Sequence, residues 1–266
     1  MVHDDPRGRG ALESPPPGLF RAYAHRGGAA ENPENSPTAF AHAVSLGFRH
    51  VETDVRPTRD GVAVLHHDAL LDRTTNAVGP VRERTWRELR NVRLADGATP
   101  LRLEELLESY SDIWVNVDVK EPGSVPAVHA AVERCRAWHR VCVTSFSARR
   151  TSRMRGLTAP VTAAHPIEVL AHRGALPWPQ PPPEGQLRLQ VPPSVLGRPL
   201  VTEGFLARAQ ARGLAVDVWT IDDPAQMHRL LDLGVDGIMT DRPTALREVL
   251  LSRGLWPGSE HSNTCS

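Results

Sequence analysis

The feature that most constrains the fold of this chain is a regular alternation between short apolar runs and longer stretches with helical spacing. Such alternation is typical of a parallel α/β fold, because parallel strands need a crossover connection between them. Nine of the apolar runs have the length of strands, namely 20–24, 50–55, 62–65, 113–119, 141–144, 161–164, 187–191, 215–220 and 237–240. A closed eight-stranded barrel needs one fewer.

The surplus run is 62–65. Only residues 56–61 separate it from the strand before it, and Asp60-Gly61 is a turn signal. Because a parallel crossover needs about a dozen residues, we predict that this run returns as a hairpin at the mouth of a barrel. The sequence therefore predicts a TIM-type (β/α)8 barrel. The alternative, an open doubly wound sheet, is disfavoured because no Gly-x-Gly-x-x-Gly turn follows the first run.

The length of 266 residues suits one such barrel, which typically takes about 250. We expect a single domain over 19–257, a disordered leader over 1–18, where prolines resist packing, and a loose polar tail over 258–266. No run of about 18 apolar residues is present, so no stable membrane insertion is expected.

Capping signals predict where helices begin and end. Ser36 caps a helix that has Pro37 in its first turn and Gly47 at its end. Thr85 and Glu88 form a capping-box pattern at the start of a helix over 85–94. Helical spacing predicts four more helices, over 103–110, 125–137, 202–212 and 224–233.

Charge and cysteine content exclude several classes of protein. The 31 basic and 31 acidic side chains give a formal net charge of zero, so no global field favours nucleic acid or an anionic membrane. A phosphate site would have to be local. The three cysteines lack Cys-x-x-Cys spacing, which fits a reducing compartment and a cytoplasmic location better than a disulfide framework.

The first strand is followed by His25, Arg26, Gly27 and Gly28, at the end of the strand where such barrels place their chemistry. Arg26 offers a planar donor fork suited to phosphate, and the two glycines permit close approach of the backbone to a ligand. Taken alone, a strand-end histidine is more often satisfied by the core than catalytic.

Glu52 and Asp54 lie two residues apart in the second run, so their side chains point to one face of a strand. If that face is the interior, two like charges are buried together, which is costly unless a cation or a proton lies between them. A hard cation with oxygen ligands is the natural solution. The open alternative is that both carboxylates face solvent at the rim, with Val51 and Val55 inward.

The hairpin run leads into His66, His67 and Asp68, which could supply a general acid or base near neutral pH. His66 and His67 are adjacent and point in opposite directions, so His66 is assigned a structural role.

Taken in chain order, the motifs resemble those of the glycerophosphodiester phosphodiesterases. The motifs that carry the resemblance are His25-Arg26-Gly27, Pro33-Glu34-Asn35-Ser36, Glu52-Thr53-Asp54-Val55, Thr58-Arg59-Asp60-Gly61, His67-Asp68, Leu71-Asp72-Arg73-Thr74-Thr75, Val117-Asp118-Val119-Lys120, Thr144-Ser145-Phe146, Val218-Trp219-Thr220-Ile221-Asp222 and Gly237-Ile238-Met239-Thr240-Asp241-Arg242-Pro243. Each motif is weak alone, whereas their joint order over 24–243 is specific.

The resemblance implies a metal-dependent phosphodiesterase that hydrolyses a small glycerophosphodiester to glycerol 3-phosphate and an alcohol. It implies an acid–base pair of His25 and His67, one divalent cation (Mg²⁺ or Ca²⁺) held by Glu52, Asp54 and Asp118, phosphate binding by Arg26 and Lys120, and a cleft wall formed by Trp219. The attacking oxygen is either water or a glycerol hydroxyl that gives a cyclic intermediate.

Two positions depart from the family pattern, since Asp118 stands where the family usually has Glu, and Ser36 where it has Thr. Two other functions stay open at this point. One is a lysophospholipase D-like phosphodiesterase on the same barrel, which would need an apolar groove for an acyl chain. The other is a non-catalytic protein that binds a phosphate ligand, because fold alone does not prove catalysis.

Overall fold

A computed structural model describes residues 20–157, 161–174 and 187–256. The leader predicted over 1–18 and the tail predicted over 258–266 lie outside these residues. The strands are β1 (Arg21–Ala24), β2 (His50–Pro57), β3 (Ala63–Leu65), β4 (Trp114–Val119), β5 (Val141–Thr144), β6 (Val161–Ala163), β7 (Leu187–Val191), β8 (Ser194–Val195), β9 (Arg198–Pro199), β10 (Ala215–Val218) and β11 (Gly237–Thr240).

The helices are α1 (Pro37–Ser45), α2 (Trp86–Leu89), α3 (Leu103–Ser109), α4 (Ser124–Arg134), α5 (Ala148–Leu157), α6 (Pro166–His172), α7 (Glu203–Gln210), α8 (Pro224–Leu233) and α9 (Pro243–Ser252). In the described ranges, no helix combines the length and the apolarity that crossing a bilayer requires.

Eight parallel strands close into a barrel. Their order around the ring is β1, β11, β10, β7, β6, β5, β4 and β2, and β2 pairs with β1 to complete it. Helices connect successive strands, so the predicted TIM-type barrel is confirmed. The surplus strand β3 pairs antiparallel with β2, with Val55 opposite Leu65, which confirms the predicted hairpin.

The barrel strands separate apolar from polar side chains. Val51 and Val55 on β2 belong to the apolar core that fills the space between strands and helices. Because strand side chains alternate, this places the buried carboxylates of Glu52 and Asp54 toward the barrel axis. The structure thereby excludes the alternative in which these two side chains face solvent at the rim.

The predicted cap of α1 is present, since Ser36 Oγ accepts a hydrogen bond from the Ala39 amide at 3.0 Å. The helix predicted over 85–94 is too long, because α2 ends at Leu89 although its capping box is present. Beyond it, the Asn76 amide donates to Arg93 O at 2.9 Å, and the Arg93 amide donates to Asn76 Oδ1 at 2.8 Å. This pairing takes backbone groups that a longer helix would have used.

Several connecting elements were not predicted, notably α5, α6, α9 and the small β8–β9 hairpin. α5 buries only Thr151 and Met154, so it carries little apolar periodicity. The hairpin turns through Leu196 and Gly197, which have φ of 50° and 72°, without the Asn-Gly or Asp-Gly pair that usually marks such a turn. The hairpin and α6 nevertheless border the candidate site.

Candidate active site

The carboxyl ends of the barrel strands surround a cavity of about 460 Å³. All eight residues that the sequence singled out for the site line it, namely His25, Arg26, Glu52, Asp54, His67, Asp118, Lys120 and Trp219. They are carried by β2 and β4 and by the segments that directly follow β1, β3, β4 and β10. The fold therefore brings together groups that are far apart along the chain, at the end of the barrel where catalysis is expected.

A tight turn after β1 positions His25 and Arg26. Arg26 adopts a left-handed φ of 53°, and the Gly28 amide closes the turn on His25 O at 2.8 Å. Gly27 has a φ of 80°, and a Cβ there would lie 2.8 Å from Ala39 Cβ. Glycine is therefore needed at this position both for its conformation and for the close approach of α1.

His25 lies between two carboxylates. Its Nδ1 is 2.7 Å from Asp241 Oδ1, and its Nε2 is 3.6 Å from Glu52 Oε2. Burial opposes protonation, but the nearby charges of Glu52 and Asp241 raise the pKa of His25 above its ordinary value. The Asp241 amide is fixed in turn by Asp222 Oδ1 at 2.8 Å. The sequence placed Asp241 in a motif without giving it this contact.

Asp54 and Asp118 face each other across adjacent strands, and both are buried. Lys120 Nζ lies between them, 2.7 Å from Asp54 Oδ1 and 2.5 Å from Asp118 Oδ2. Although burial opposes ionisation of Asp54, Lys120 and Arg26 hold its pKa below its ordinary value. At Asp118 burial prevails over Lys120, and the pKa is raised. The ammonium thus offsets the repulsion between two like charges.

Glu52 precedes Asp54 on the same strand face. It accepts a hydrogen bond from the Arg26 amide at 3.1 Å. Burial and the charge of Asp54 raise the pKa of Glu52 to about 7. Its ionised form therefore lacks a sufficient counter-charge among the surrounding side chains.

The acidic donor set has the chemistry of a site for a hard cation. Asp118 Oδ1 is buried without a hydrogen-bond partner, and the three carboxylates supply oxygen ligands of the kind that Mg²⁺ and Ca²⁺ prefer. The donor chemistry of Glu52, Asp54 and Asp118 therefore suits a divalent ion, although their spacing here does not form a metal cluster. Lys120 Nζ lies between Asp54 and Asp118, and in the described part of the chain no three His, Cys, Asp or Glu side chains are spaced to hold a metal.

His67 follows β3, the second strand of the hairpin, and its side chain lines the cavity. Its Nδ1 is 2.7 Å from Asp68 Oδ1, and its carbonyl oxygen accepts from Arg56 Nε and Nη2 at 3.0 and 2.9 Å. His66, in contrast, is buried, with its Nε2 3.0 Å from Leu70 O. The backbone and one ring nitrogen of His67 are thus fixed, which leaves Nε2 to face a ligand.

Arg73 links Glu34, which holds Arg26, to Asp68, which holds His67. Its Nη1 and Nη2 donate to Glu34 at 2.9 and 2.7 Å, and its Nε donates to Asp68 Oδ2 at 2.5 Å. Glu34 also accepts from Arg26 Nη1 at 3.2 Å. The hydrogen bond from Arg73 holds the pKa of Asp68 well below its ordinary range. One guanidinium therefore fixes both carboxylates that position Arg26 and His67.

Asn35 holds the Asp54 carboxylate from the other side. Its Nδ2 donates to Asp54 Oδ2 at 3.1 Å, and its Oδ1 accepts from Thr53 Oγ1 at 2.7 Å. The sequence analysis named Asn35 only as part of a motif and did not assign it this contact. The Pro33-Glu34-Asn35-Ser36 motif was the available signal for this contact.

The remaining wall of the cavity is mostly apolar. The Trp219 ring packs edge-on against Phe146 with a centroid separation of 5.6 Å. Helix α6 and the segment from β7 to Leu200 contribute most of the other apolar side chains, which are Pro166, Val169, Leu170, Val191, Pro192, Val195 and Leu200. The site is therefore polar at the strand ends and apolar on the side formed by α6 and the β8–β9 hairpin.

Comparisons with known proteins agree with this geometry. Residues 25–245 match the glycerophosphoryl diester phosphodiesterase family. "Probable glycerophosphodiester phosphodiesterase 2" of Mycobacterium tuberculosis is 40% identical over 252 residues, which cover 90% of this chain and 93% of that protein. A lysophospholipase D of Rattus norvegicus is 27% identical over 87% of this chain and 86% of its own length. The crystal structure of a glycerophosphodiester phosphodiesterase from Agrobacterium tumefaciens has a TM-score of 0.73 at 25% identity and covers 86% of this chain and 100% of its own.

The barrel, the polar mouth and the extent of the family match define an enzyme of the TIM-barrel phosphodiesterase class. The chain belongs to the glycerophosphoryl diester phosphodiesterase family. Membership rests on most of the chain, including every strand that carries a residue of the site.

Replacing Arg73 by Leu should lower kcat/KM, because Glu34 and Asp68 would no longer be fixed on either side of the mouth. A loss of roughly 10–100-fold is typical when a group that orients a catalytic residue is removed. Arg73→Lys should recover part of it, since the charge remains while the planar fork is lost. The assay is steady-state hydrolysis of a glycerophosphodiester. Arg49→Leu, which removes an exposed ion pair with Asp112, is the control, and equal activity of the Arg73 and Arg49 variants would contradict the role of Arg73.

Proposed function

We propose that this protein hydrolyses glycerophosphodiesters to glycerol 3-phosphate and an alcohol, with a divalent cation (Mg²⁺ or Ca²⁺) and with His25 and His67 as the acid–base pair. One observation carries the proposal, namely that two histidines, three carboxylates and the cationic side chains of Arg26 and Lys120 line one cavity. Its volume of about 460 Å³ suits a small diester. We also place the enzyme in the cytoplasm, since the free thiols of Cys135 and Cys142 suit a reducing compartment.

Arg26 and Lys120 would bind the non-bridging phosphate oxygens. Both cations are held in place by carboxylates, Arg26 by Glu34 at 3.2 Å and Lys120 by Asp54 at 2.7 Å. Positive groups that are already oriented stabilise the charge of a phosphoryl transition state without having to reorganise. Trp219 would limit the cleft on its apolar side.

Glu52, Asp54 and Asp118 would hold the cation, which when bound supplies Lewis-acid polarisation of the phosphoryl group. Asp118 is one methylene shorter than the glutamate usual in the family. The register of β2 with β4 supports its role, because it sets Asp118 directly opposite Asp54. The buried Asp118 Oδ1 without a hydrogen-bond partner is an available ligand atom.

The two histidines are arranged alike, each with a carboxylate at Nδ1. Asp241 is 2.7 Å from His25 Nδ1, and Asp68 is 2.7 Å from His67 Nδ1. A carboxylate there favours the tautomer whose Nε2 is free to accept or donate a proton. One histidine would take the proton of the attacking oxygen, and the other would protonate the leaving alkoxide.

His25→Ala and His67→Ala should each lower kcat, by ~10²–10⁴, the usual size of a single proton-transfer contribution. Release of glycerol 3-phosphate from glycerophosphocholine is the measurement, and a thermal unfolding curve close to that of the unmodified protein shows that folding is retained. His139→Ala, at an exposed histidine outside the cavity, should keep full turnover. Full turnover in either His25→Ala or His67→Ala would refute the acid–base assignment.

Chelation should abolish hydrolysis, and addition of Mg²⁺ or Ca²⁺ should restore it. Calorimetric titration of the chelated protein should show binding of a divalent ion that Asp54→Asn removes, because the ion would lose one of its three carboxylates. Asp112→Asn, at an exposed aspartate, should leave the titration unchanged. Undiminished hydrolysis in excess chelator would exclude the cation.

A second candidate function, hydrolysis of lysophospholipids, is favoured by the apolar wall. Phe146, Leu170 and Val195 line the cavity and are 62%, 45% and 43% exposed. At the tip of the neighbouring hairpin, Leu196 is 97% exposed. A fully polar diester leaves this surface in contact with water, whereas an acyl chain would cover it. The lysophospholipase D of Rattus norvegicus is similar over most of this chain.

If an acyl chain lies on this wall, Leu170→Gln should lower kcat/KM for lysophosphatidylcholine about tenfold, the low end of what one apolar contact contributes to discrimination. Activity on glycerophosphocholine should change little, since that substrate has no chain. Leu251→Gln, at an exposed leucine of α9, controls for loss of surface apolarity. Equal losses on both substrates, or no turnover of lysophosphatidylcholine, would leave only the first function.

A further inference from the structure

A second, much smaller cavity of about 10 Å³ lies at the amino-terminal end of the barrel. We call it the floor cavity. It is lined by the first residues of β2, β4 and β6 (His50, Trp114 and Val161), by Cys142 and Arg188, the second residues of β5 and β7, and by Tyr23, which is in register with His50. Asn116 lines both this cavity and the catalytic one, so the floor cavity lies below the active site and separate from its catalytic groups.

Asp217, a buried carboxylate close to the floor cavity, already accepts hydrogen bonds from other side chains. Asp217 Oδ1 accepts from Arg21 Nε and Nη2 at 2.9 and 2.7 Å. Asp217 Oδ2 accepts from the Tyr23 hydroxyl at 3.2 Å and from Gln190 Nε2 at 3.5 Å. Four donors leave no favourable lone pair for a further cation.

Two polar groups of the floor cavity have no partner among the residues that the structure describes. Arg188 Nη1 and His50 Nε2 are both buried without a hydrogen bond, in side chains that are 8% and 7% exposed. A buried guanidinium nitrogen without an acceptor is unfavourable. Burial opposes the charge of Arg188, and the nearby charge of Asp217 helps to raise its pKa, but Asp217 does not accept a hydrogen bond from Nη1. Burial, together with Arg21 and Arg188, lowers the pKa of His50 to about 3, and burial raises the pKa of the Cys142 thiol to about 12. Arg188 is therefore the charged group of this lining at neutral pH.

We propose that the floor cavity is a binding site for a monoatomic anion, with chloride as the ligand, held by Arg188 and His50. The positive lining, which includes no carboxylate, selects an anion over a cation. The small volume suits a ligand of a single atom rather than phosphate, sulfate or a carboxylate. The site is unrelated to the phosphodiester chemistry and would stabilise the barrel from below.

The first test is thermal unfolding of the full-length protein, in a fixed concentration of Mg²⁺ acetate, as sodium gluconate is replaced by sodium chloride at constant ionic strength. Gluconate is too large for the cavity. Chloride at about five times its dissociation constant should raise the Tm by roughly 2–4 °C, saturably, as expected for a ligand of the folded state. Arg188→Met should lose this response. Arg153→Met, the same change at an exposed arginine, should keep it. A Tm that is the same in chloride and gluconate would overturn the proposal.

The second test needs no variant and decides the matter if Arg188→Met does not fold. A crystal of the unmodified protein soaked in bromide should show an anomalous peak within hydrogen-bond distance of Arg188 Nη1 and His50 Nε2. Density for a water molecule there, with no anomalous signal, would show that water satisfies these groups and would overturn the halide site.

Discussion

The structure depends on the burial of two facing carboxylates, Asp54 and Asp118, at the mouth of the barrel. Taking such charges out of water costs several kcal/mol for each ion unless a counter-charge lies close. Lys120 supplies it, with its Nζ within 2.7 Å of both. This arrangement requires that β2 and β4 keep their register, because a shift of either strand by one residue would turn its carboxylate into the apolar layer. The outward Val117 and Val119 fix that register.

The interior of this barrel is held by polar layers rather than by the usual branched apolar side chains. Arg21 and Asp217 pair at the floor, and Gln190 Nε2 donates to Asn116 Oδ1 at 3.1 Å in the layer above. The apolar core lies instead between the strands and the helices. Gly237 is required by this arrangement, because a Cβ there would lie 2.4 Å from Asp217 Oδ1. Hydrogen bonds thus hold the catalytic mouth from below, and apolar packing holds it from outside.

Sequence reasoning succeeded where the signal is local. The period of two along β2 placed Glu52 and Asp54 on one face, and the short 56–61 connection identified the hairpin that delivers His67. The same reasoning could not find Asp241, which contacts His25 across 216 residues, nor the contact of Arg73 with Glu34 across 39. Such pairs form only when the barrel closes, and no local sequence pattern around either partner identifies the other.

Two of the elements missed from the sequence, α6 and the β8–β9 hairpin, also form most of the apolar side of the site. The polar strand ends can be detected in the sequence, because charged residues at alternate positions are unusual in apolar runs. The leucine and valines that α6 and the β8–β9 hairpin turn toward the cavity resemble any core residue until the fold leaves them exposed. These elements can also change without shifting the register of β2 and β4. Substrate selectivity can therefore vary across this scaffold while the proposed phosphate site is retained, and it is the property hardest to predict from one sequence.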